Sequence, residues 1–515
     1  MNSSHKKHLI APTLLAALAL AIPAQLAAQG SAKEHIRYKL IDLGTLGGPH
    51  SYGSVNGEGF QLLNDAGVIS SFADTASPDP FAPNFCYNPL DCFMSHAFRW
   101  KDGVIIDLGA LPGMNSSAAG SINARGWSTG QSQISMIDPV VGIPEYRAVV
   151  WKQDGIMNLG TLPGGTESLG IYINDSGQVI GFSDNGVPDP FSFPFFFTGT
   201  QIHTFVWENG VMRDIGTLGG PDAVPGTSCS GQPHNVIVGL SYTSFAANAT
   251  TGIPTLDPYI WKNGVMTDLG NLGGTISGLG PSGLAAGVLV PCANNRGQVI
   301  GISSLLGNVM NHAFFWEDGV MTDLGTLGGD NSEAIWINDA GDVAGSADLP
   351  GSQTHDAVLW RKGKIHDLGT VAGDPCSRGL AINVRGQVVG ASSDCSNFLH
   401  AFLWEEGGPM LDLNTLIPPG SGVQLIEAFN INERGEILAI SNPLGVTPNT
   451  DLGHLVLLVP CEADDADCAE NAAGATIVAP RSSARITGSL ATTPLTPREN
   501  LAAWRARLAR QYHIP

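Results

Sequence analysis

The sequence predicts an all-β fold, an eight-bladed β-propeller of four-stranded antiparallel blades in which the N-terminal strand closes the last blade. Three observations lead there: a module that recurs eight times, strand-and-turn patterning inside each module, and one leftover strand at each end of the array.

A DLGTLGG-like string begins at Asp42, Asp107, Asn158, Asp214, Asp268, Asp323, Asp367 and Asp412, spaced 44 to 65 residues apart. Seven of these are followed by an Ile-Asn-x-x-Gly-x-Val-x-Gly string, clearest at 173–181, 337–345 and 382–390, with variants at 63–70, 122–130, 293–301 and 431–440. The fourth copy is worn down to HNVIVG at 234–239. A His-Ala-Phe-x-Trp string comes next, as at 96–100, 312–316 and 400–404. Its tryptophan recurs at Trp100, Trp151, Trp207, Trp261, Trp316, Trp360 and Trp404, a period that marks blade packing.

Each module reads as four short strands. The apolar residues ending at Ile-Asn form strand A, and the Asn-Asp-x-Gly beside them is a tight turn. Val-x-Gly opens strand B. His-Ala-Phe-x-Trp is strand C, which Glu-Asp-Gly or Glu-Asn-Gly turns into strand D, Val-Met-x-Asp-Leu-Gly. The Gly-Thr-Leu-Gly-Gly that follows links one strand to another, so it is a turn device and not a phosphate cradle. The array opens on a lone D strand, Tyr38–Leu43, and ends on a lone C strand, His454–Val459. Pairing them completes an eighth blade and leaves neither end strand unpaired.

The chain resembles the extracellular HAF-repeat family of bacterial proteins, named for the His-Ala-Phe string. The resemblance covers about residues 38–460 and rests on three motifs per module; the fourth module departs most. It implies an exported repeat protein and brings no catalytic residues with it.

Segments outside the array have their own character. Residues 1–30 read as a signal peptide: Lys6 and Lys7, an apolar stretch Leu14–Ile22, then small residues Ala24, Ala27, Ala28 and Gly30. No later stretch is long enough to span a bilayer as a transmembrane segment. Residues 461–495 read as a Cys-bridged acidic loop and a flexible linker. Residues 496–515 read as a short basic helix, capped by Thr496, Pro497 and Glu499.

Behind a secretion signal, eight cysteines read as four disulfides. Cys86 with Cys92 and Cys461 with Cys468 are close enough to pair locally, and Cys376 faces Cys395 across a hairpin centred near Val384 and Arg385. Cys229 and Cys292 remain, at equivalent places in adjacent modules, where a bond would clip two blades together. The formal charge of −21 argues against nucleic acid or an anionic membrane surface as partner. A monomer is expected.

Repetition also sorts the candidate residues. His96, His203, His312, His400 and His454 share one repeat position, where Arg147, Asp257 and Asp356 stand in other modules. Eight diluted copies point to a polar side chain satisfying buried backbone, not to catalysis. Asp42, Asp107, Asp214, Asp268, Asp323, Asp367 and Asp412 are read as caps of the turn after strand D. Calcium is the alternative there, without an Asp-x-Asp-x-Asp-Gly loop to support it. No cofactor or metal site is expected.

The irregular parts single out one face. The B–C connections of the first four modules, about 74–95, 132–145, 184–201 and 242–256, are long and share an Asp-Pro step. They carry Asp79, Phe81, Phe85, Tyr87, Asp138, Asp189, Phe191, Phe193, Phe195, Phe196 and Phe197, and further aromatics at Phe93, Tyr242 and Phe245. Flat apolar faces beside carboxylates suit a protein or carbohydrate partner. The plainer reading is that these aromatics pack the long loops onto the blades. The expected function is a non-enzymatic binding or scaffold module outside the cytoplasm. A glycosidase or lyase using Asp79, Asp91, Asp138, Glu145, Asp184 or Asp189 is the alternative, with no recognisable motif among them.

Overall fold

The computed structural model describes residues 37–461, apart from 54–58, 83–91, 138–143, 154, 192–198, 230–235, 250, 279–289 and 450–452. The chain divides at Ile36 and Arg37, and every strand belongs to the second unit. The signal-peptide, linker and C-terminal-helix expectations lie outside the described residues.

Strands dominate, and among the described residues a single 3-10 turn, Leu413–Thr415, is the exception. The four-strand decomposition holds. Module 2 shows it plainly: A is Ser117–Ile122, B is Ser128–Ile137, C is Pro144–Lys152 and D is Gly155–Asn158, hydrogen-bonded in that order and antiparallel throughout. Six sheets have four strands each, while modules 4 and 5 are joined in one ten-stranded sheet. The join is a short parallel pairing of Thr227–Ser228 with Cys292–Ala293 and a bridge from Leu256 to Ile276. Strand A is buried along its whole length in modules 2, 3 and 6, whereas strand D is four residues long and largely exposed.

The two leftover strands find each other. Tyr38–Asp42 pairs antiparallel with His454–Pro460, Leu40 opposite Leu458, to complete the sheet that begins with Val423–Ile431. Tyr38 is 1% exposed, and its amide donates to the Leu416 carbonyl of module 7. Sheets that follow one another in sequence pack side by side, and strand A of module 1 (Gly47–Tyr52) packs against His454–Pro460 of module 8.

Each repeated motif has a physical cause in this arrangement. Strand A bulges at Ala119–Ser121, Gly170–Tyr172, Ala334–Trp336 and Gly379–Ala381. The bulge drives a strand A carbonyl onto the glycine of Val-x-Gly: a Cβ at Gly390 would lie 2.0 Å from the Arg378 oxygen and 2.8 Å from the Phe402 ring. Gly181 meets Leu169 and Phe205 in the same way. Only glycine leaves room for the phenylalanine at Phe205, Phe314 and Phe402, each 0% exposed, whereas Ser71 faces the equally buried Phe98 in module 1. Each such ring stabilises the fold by about 1.5–3 kcal/mol through burial.

The asparagine of Ile-Asn caps its own turn and also reaches sideways. Asn64, Asn123, Asn294, Asn338, Asn383 and Asn432 each donate through Nδ2 to the backbone carbonyl of the equivalent asparagine in the next module. The last of these runs from Asn432 back to Asn64 at 3.1 Å. The counterpart in module 4 falls within 230–235, outside the described residues. A second set lies beside the first: the amides of Ala124, Asn295, Val384 and Glu433 donate to the carboxylates of Asp175, Asp339, Glu433 and Asp65. Replacing Asn432 with Ala strands the buried Glu436 amide, releases the Arg434 amide, and leaves the Asn64 carbonyl with the Gly67 amide as its remaining donor. An unfolding free energy lower by about 2 kcal/mol in urea is expected.

Two disulfides appear as expected. Cys229–Cys292 joins modules 4 and 5, and Cys376–Cys395 closes the start of module 7, with Cα separations of 5.7 and 5.1 Å. Cys92 and Cys461 are also disulfide-bonded, while Cys86 and Cys468 lie outside the described residues.

Candidate functional site

Strand lengths account for the built-up face. Strand B runs ten residues in modules 1 to 3 (Ile69–Pro78, Ser128–Ile137, Val179–Pro188), its first six buried and its last three exposed. In modules 5 to 7 it runs only six or seven. Strand C is longer to match, and pairing resumes past a bulge at Pro78–Phe93, Ile137–Pro144 and Pro188–Thr200. The connections expected to be loops therefore begin as hairpin arms extending beyond the sheets.

Two of the Asp-Pro steps top these arms. Asp79 accepts the Phe81 amide at 2.9 Å, and its own amide donates to the Cys92 carbonyl. Asp189 donates from its amide to the Gly199 carbonyl in the same role. Both aspartates are buried, at 3% and 5% exposure, and Asp79 holds its turn from inside it. Asp257-Pro258 differs from expectation: it lies within strand C, opposite Ser241 and Leu240, because module 4 has no extended arm.

The other carboxylates in this region are also engaged. Asp184 accepts the amides of Thr166 and Glu167, each at 2.8 Å, while burial pushes its pKa up. Glu145 lies 3.6 Å from the Arg147 guanidinium. Asp74 holds the Tyr52 hydroxyl at 2.7 Å and the Ser95 hydroxyl at 3.0 Å.

Among the aromatics, Phe81 is half-buried, Phe191 packs against the core, and Tyr242 is 3% exposed. The Tyr242 hydroxyl donates to the Phe191 carbonyl, tying the module 3 arm to module 4. Phe245 stands out at 63% exposure. Phe85, Tyr87, Phe193, Phe195, Phe196, Phe197, Asp91 and Asp138 lie outside the described residues.

What the sequence reading missed is aliphatic. Met136, Ile137, Val187, Leu306, Val309, Met310, Leu444 and Val446 are exposed, and all sit at the ends of B strands or in B–C connections. The available signal was hydrophobic residues at turn positions, as in the Leu-Leu-Gly-Asn-Val-Met of 305–310. With Phe245 they give this face apolar side chains from modules 2, 3, 4, 5 and 8.

The repeated histidines are structural, as expected, and more fully so. His96, His203, His312 and His454 each place Nδ1 on the strand D carboxylate of their own sheet, Asp107, Asp214, Asp323 and Asp42. For His96, His203 and His454, Nε2 meets a carbonyl of the following module at Asn115, Pro221 and Pro49. His400 is the exception, turning to Asp374 at 2.8 Å. The strand D aspartates cap the next turn through the amides of Gly44, Gly109, Gly216, Gly270, Gly325 and Gly369, and Asp412 does so through Asn414.

His454 and Asp42 join the last and first strands of the chain, so their titration reports on that seam. Hydrogen bonding to Asp42 raises the His454 pKa, and the same bond lowers that of Asp42. A raised histidine pKa gives stability that is full below its usual value and lost as pH rises through the folded value. A lowered carboxylate pKa gives stability that is present above its usual value and lost as pH falls through the folded one. The seam is strongest between them. The melting temperature of a His454→Gln variant should trail the unsubstituted protein at about pH 5 and approach it at about pH 9; a gap independent of pH would contradict the pairing.

Comparison with known proteins gives no family. No family model matches, and no curated protein matches. Among solved structures, the chain is similar to an acylaminoacyl peptidase of Pyrococcus horikoshii (11% identity, 76% of this chain and 58% of that one, TM-score 0.39). It is also similar to dipeptidyl peptidase 4 of Porphyromonas gingivalis (9%, 75% and 58%, TM-score 0.42) and to TolB of Acinetobacter baumannii (11%, 83% and 97%, TM-score 0.30). The chain spans a little over half the length of the two peptidases. At such scores the likenesses carry no argument about activity.

Proposed function

We propose that this chain is an exported, eight-bladed β-propeller of the HAF-repeat type that binds a protein partner on its B–C face and catalyses nothing there. The circular reading is supported by the pairing of Tyr38–Asp42 with His454–Pro460 and by the Asn432 to Asn64 bond. Eight copies of the repeat supply the eight blades. Export is supported by the signal-like start and by disulfides, which persist in oxidising compartments.

One observation carries the binding reading: the B–C connections of five modules present exposed apolar side chains on projecting arms and turns, apart from a second set on the strand D edges, while the polar residues of the repeat are used within and between sheets. Leucine, valine, isoleucine and methionine offer little to a sugar hydroxyl, and they suit a protein surface that loses water on contact. A carbohydrate site relies on stacked aromatics, and Phe191 and Tyr242 are committed to packing. The carboxylates of Asp79 and Asp184 are likewise occupied with backbone amides, which favours binding over the glycosidase or lyase alternative.

The test is a photo-crosslinking amino acid placed singly at Phe245, Leu306, Val104 or Val320 in producing cells. Val104 and Val320 are also well exposed but lie on strand D. Positions 245 and 306 are expected to trap the same protein, and the strand D positions nothing. Capture from strand D alone, or from no position, would refute the assigned face.

A further inference from the structure

The exposed apolar side chains of the B–C face stand among carboxylates. B–C and D–A connections leave the same end of an antiparallel sheet, and in all eight modules neither set contains a lysine or an arginine. The lysines and arginines of 38–460 lie on strands or in the A–B and C–D turns, as at Lys101, Arg125, Lys262, Arg296, Lys362 and Arg434. Three strand cations that could reach the B–C side are held by carboxylates. Arg147 lies 3.6 Å from Glu145, Arg378 2.6 Å from Glu333, and Arg213 3.7 Å from Glu208 beside the C–D turn. Exposed aspartates remain at the B–C end: Asp268 and Asp367 close their D strands, and Asp330 and Asp394 lie in connections.

A surface both apolar and acidic selects a partner with apolar and basic side chains, and this chain carries one. Residues 481–515 hold Arg481, Arg485, Arg498, Arg505, Arg507 and Arg510 against the single Glu499. Leu501, Trp504 and Leu508, spaced three and four apart, give 496–515 the pattern of an apolar stripe beside those arginines. Tryptophan and arginine are among the side chains that contribute most where protein surfaces meet. The stretch is also within reach. Strand His454–Pro460, about 23 Å long, delivers the chain to the C–D end of its sheet. Residues 469–495, rich in Ala, Thr, Ser and Pro, would cover about 30 Å as a coil and about 90 Å drawn out.

We propose that residues 496–515 dock on the B–C face of their own chain, the apolar stripe against its exposed aliphatics and the arginines toward its aspartates. The proposal rests on the B–C face being the binding face, and it gives that face an internal competitor. A tether of this length holds the segment at about millimolar effective concentration, so a weak contact keeps it in place and a tighter partner displaces it. The strand D edges are the rival apolar surface, but Val104 and Val265 lie opposite Lys101 and Lys262. Like charge turns arginines away from them.

The test places a photo-crosslinking amino acid singly at Leu306, Leu444, Val104 or Val265 of the purified mature chain and maps the adducts by mass spectrometry. At least one of positions 306 and 444 should trap a peptide from 496–515 of the same chain, and positions 104 and 265 none. Joint replacement by Arg498→Glu, Arg505→Glu, Arg507→Glu and Arg510→Glu should remove the adduct, and salt at about 0.5 M should weaken it several-fold. No tail peptide from either B–C position, equal capture from strand D, or capture only between separate chains would overturn the docking. So would an adduct that survives the charge reversal. Failure of the partner reading looks different: the tail is trapped in the purified chain while producing cells yield no protein at 245 or 306. A protein trapped in cells, with no tail adduct in the purified chain, sinks the tail alone.

Discussion

Gly390→Ala should lower the unfolding free energy by ~3 kcal/mol, near the upper end of what overpacking costs, because the atom it meets is backbone. The added methyl would lie 2.0 Å from the Arg378 carbonyl, inside the strand A bulge, and 2.8 Å from the Phe402 ring. A side chain can turn away; a bulged carbonyl fixed in its sheet cannot. The register Gly379–Gly390 would have to open, taking the buried Phe402 with it. Gly363→Ala serves as control. Gly363 sits in the C–D turn at φ +71°, and a methyl added there would meet nothing within 4 Å, so it bears conformational strain alone and should cost ~1 kcal/mol. Urea unfolding of both variants decides it, and equal losses would remove the packing explanation for Val-x-Gly.

Removing residues 37–43 should have a still larger effect. The deletion strips Leu40 and the buried Tyr38 and Leu43 from the core and leaves strand His454–Pro460 with a bare edge. It also takes Asp42 from His454 and the Tyr38 amide from the Leu416 carbonyl. Truncating a buried aromatic side chain of this size costs about 3–5 kcal/mol by itself, which is a large share of the stability of an ordinary domain. The truncated chain is expected to be recovered aggregated or as an oligomer pairing through its free edge. Tyr38→Ala gives the graded version, with a loss of about 3–4 kcal/mol. A truncated chain that stays monomeric with an unchanged melting temperature would mean that the N-terminal strand is an ornament.

The closing strand was legible because the repeat is modular: a D copy at Tyr38 with no A, B or C before it, and a C copy at His454 with no D after it, leave one natural pairing. Strand A, the Cys229–Cys292 clip and the turn role of the strand D aspartates were legible for the same reason, since one well-formed copy explains the others. Bonds that cross between modules were not. Ile-Asn reads as a turn in any single module, and only the folded arrangement reveals Asn432 donating to Asn64 across 368 positions. His96 and Asp107 were each understood alone, while their pairing needed the C–D register.

The face proposed for binding was half legible. Long B–C connections in the first modules pointed to the side of the sheets that carries the exposed aliphatics, but aromatic richness drew attention to residues that include a core-packed Phe191 and a buried Tyr242. Composition does not tell a ring that anchors a loop from one that meets a partner. The exposed aliphatics at the tips of the arms, such as Met136, Ile137 and Val187, escaped because in sequence they continue the apolar pattern of strand B. Asp79 and Asp189 show the same limit, since an Asp-Pro step looks alike whether its carboxylate faces solvent or caps its own turn.

A cysteine pair at Lys39 and Val459 probes closure most directly, since these residues face each other in the pairing of the first and last strands. Oxidised without denaturant and mapped by mass spectrometry, the double variant should form an intramolecular 39–459 disulfide in nearly every chain and melt at a higher temperature than its reduced form. Free thiols at both positions, or a 39–459 link found only between separate chains, would contradict a ring closed by its own N-terminus.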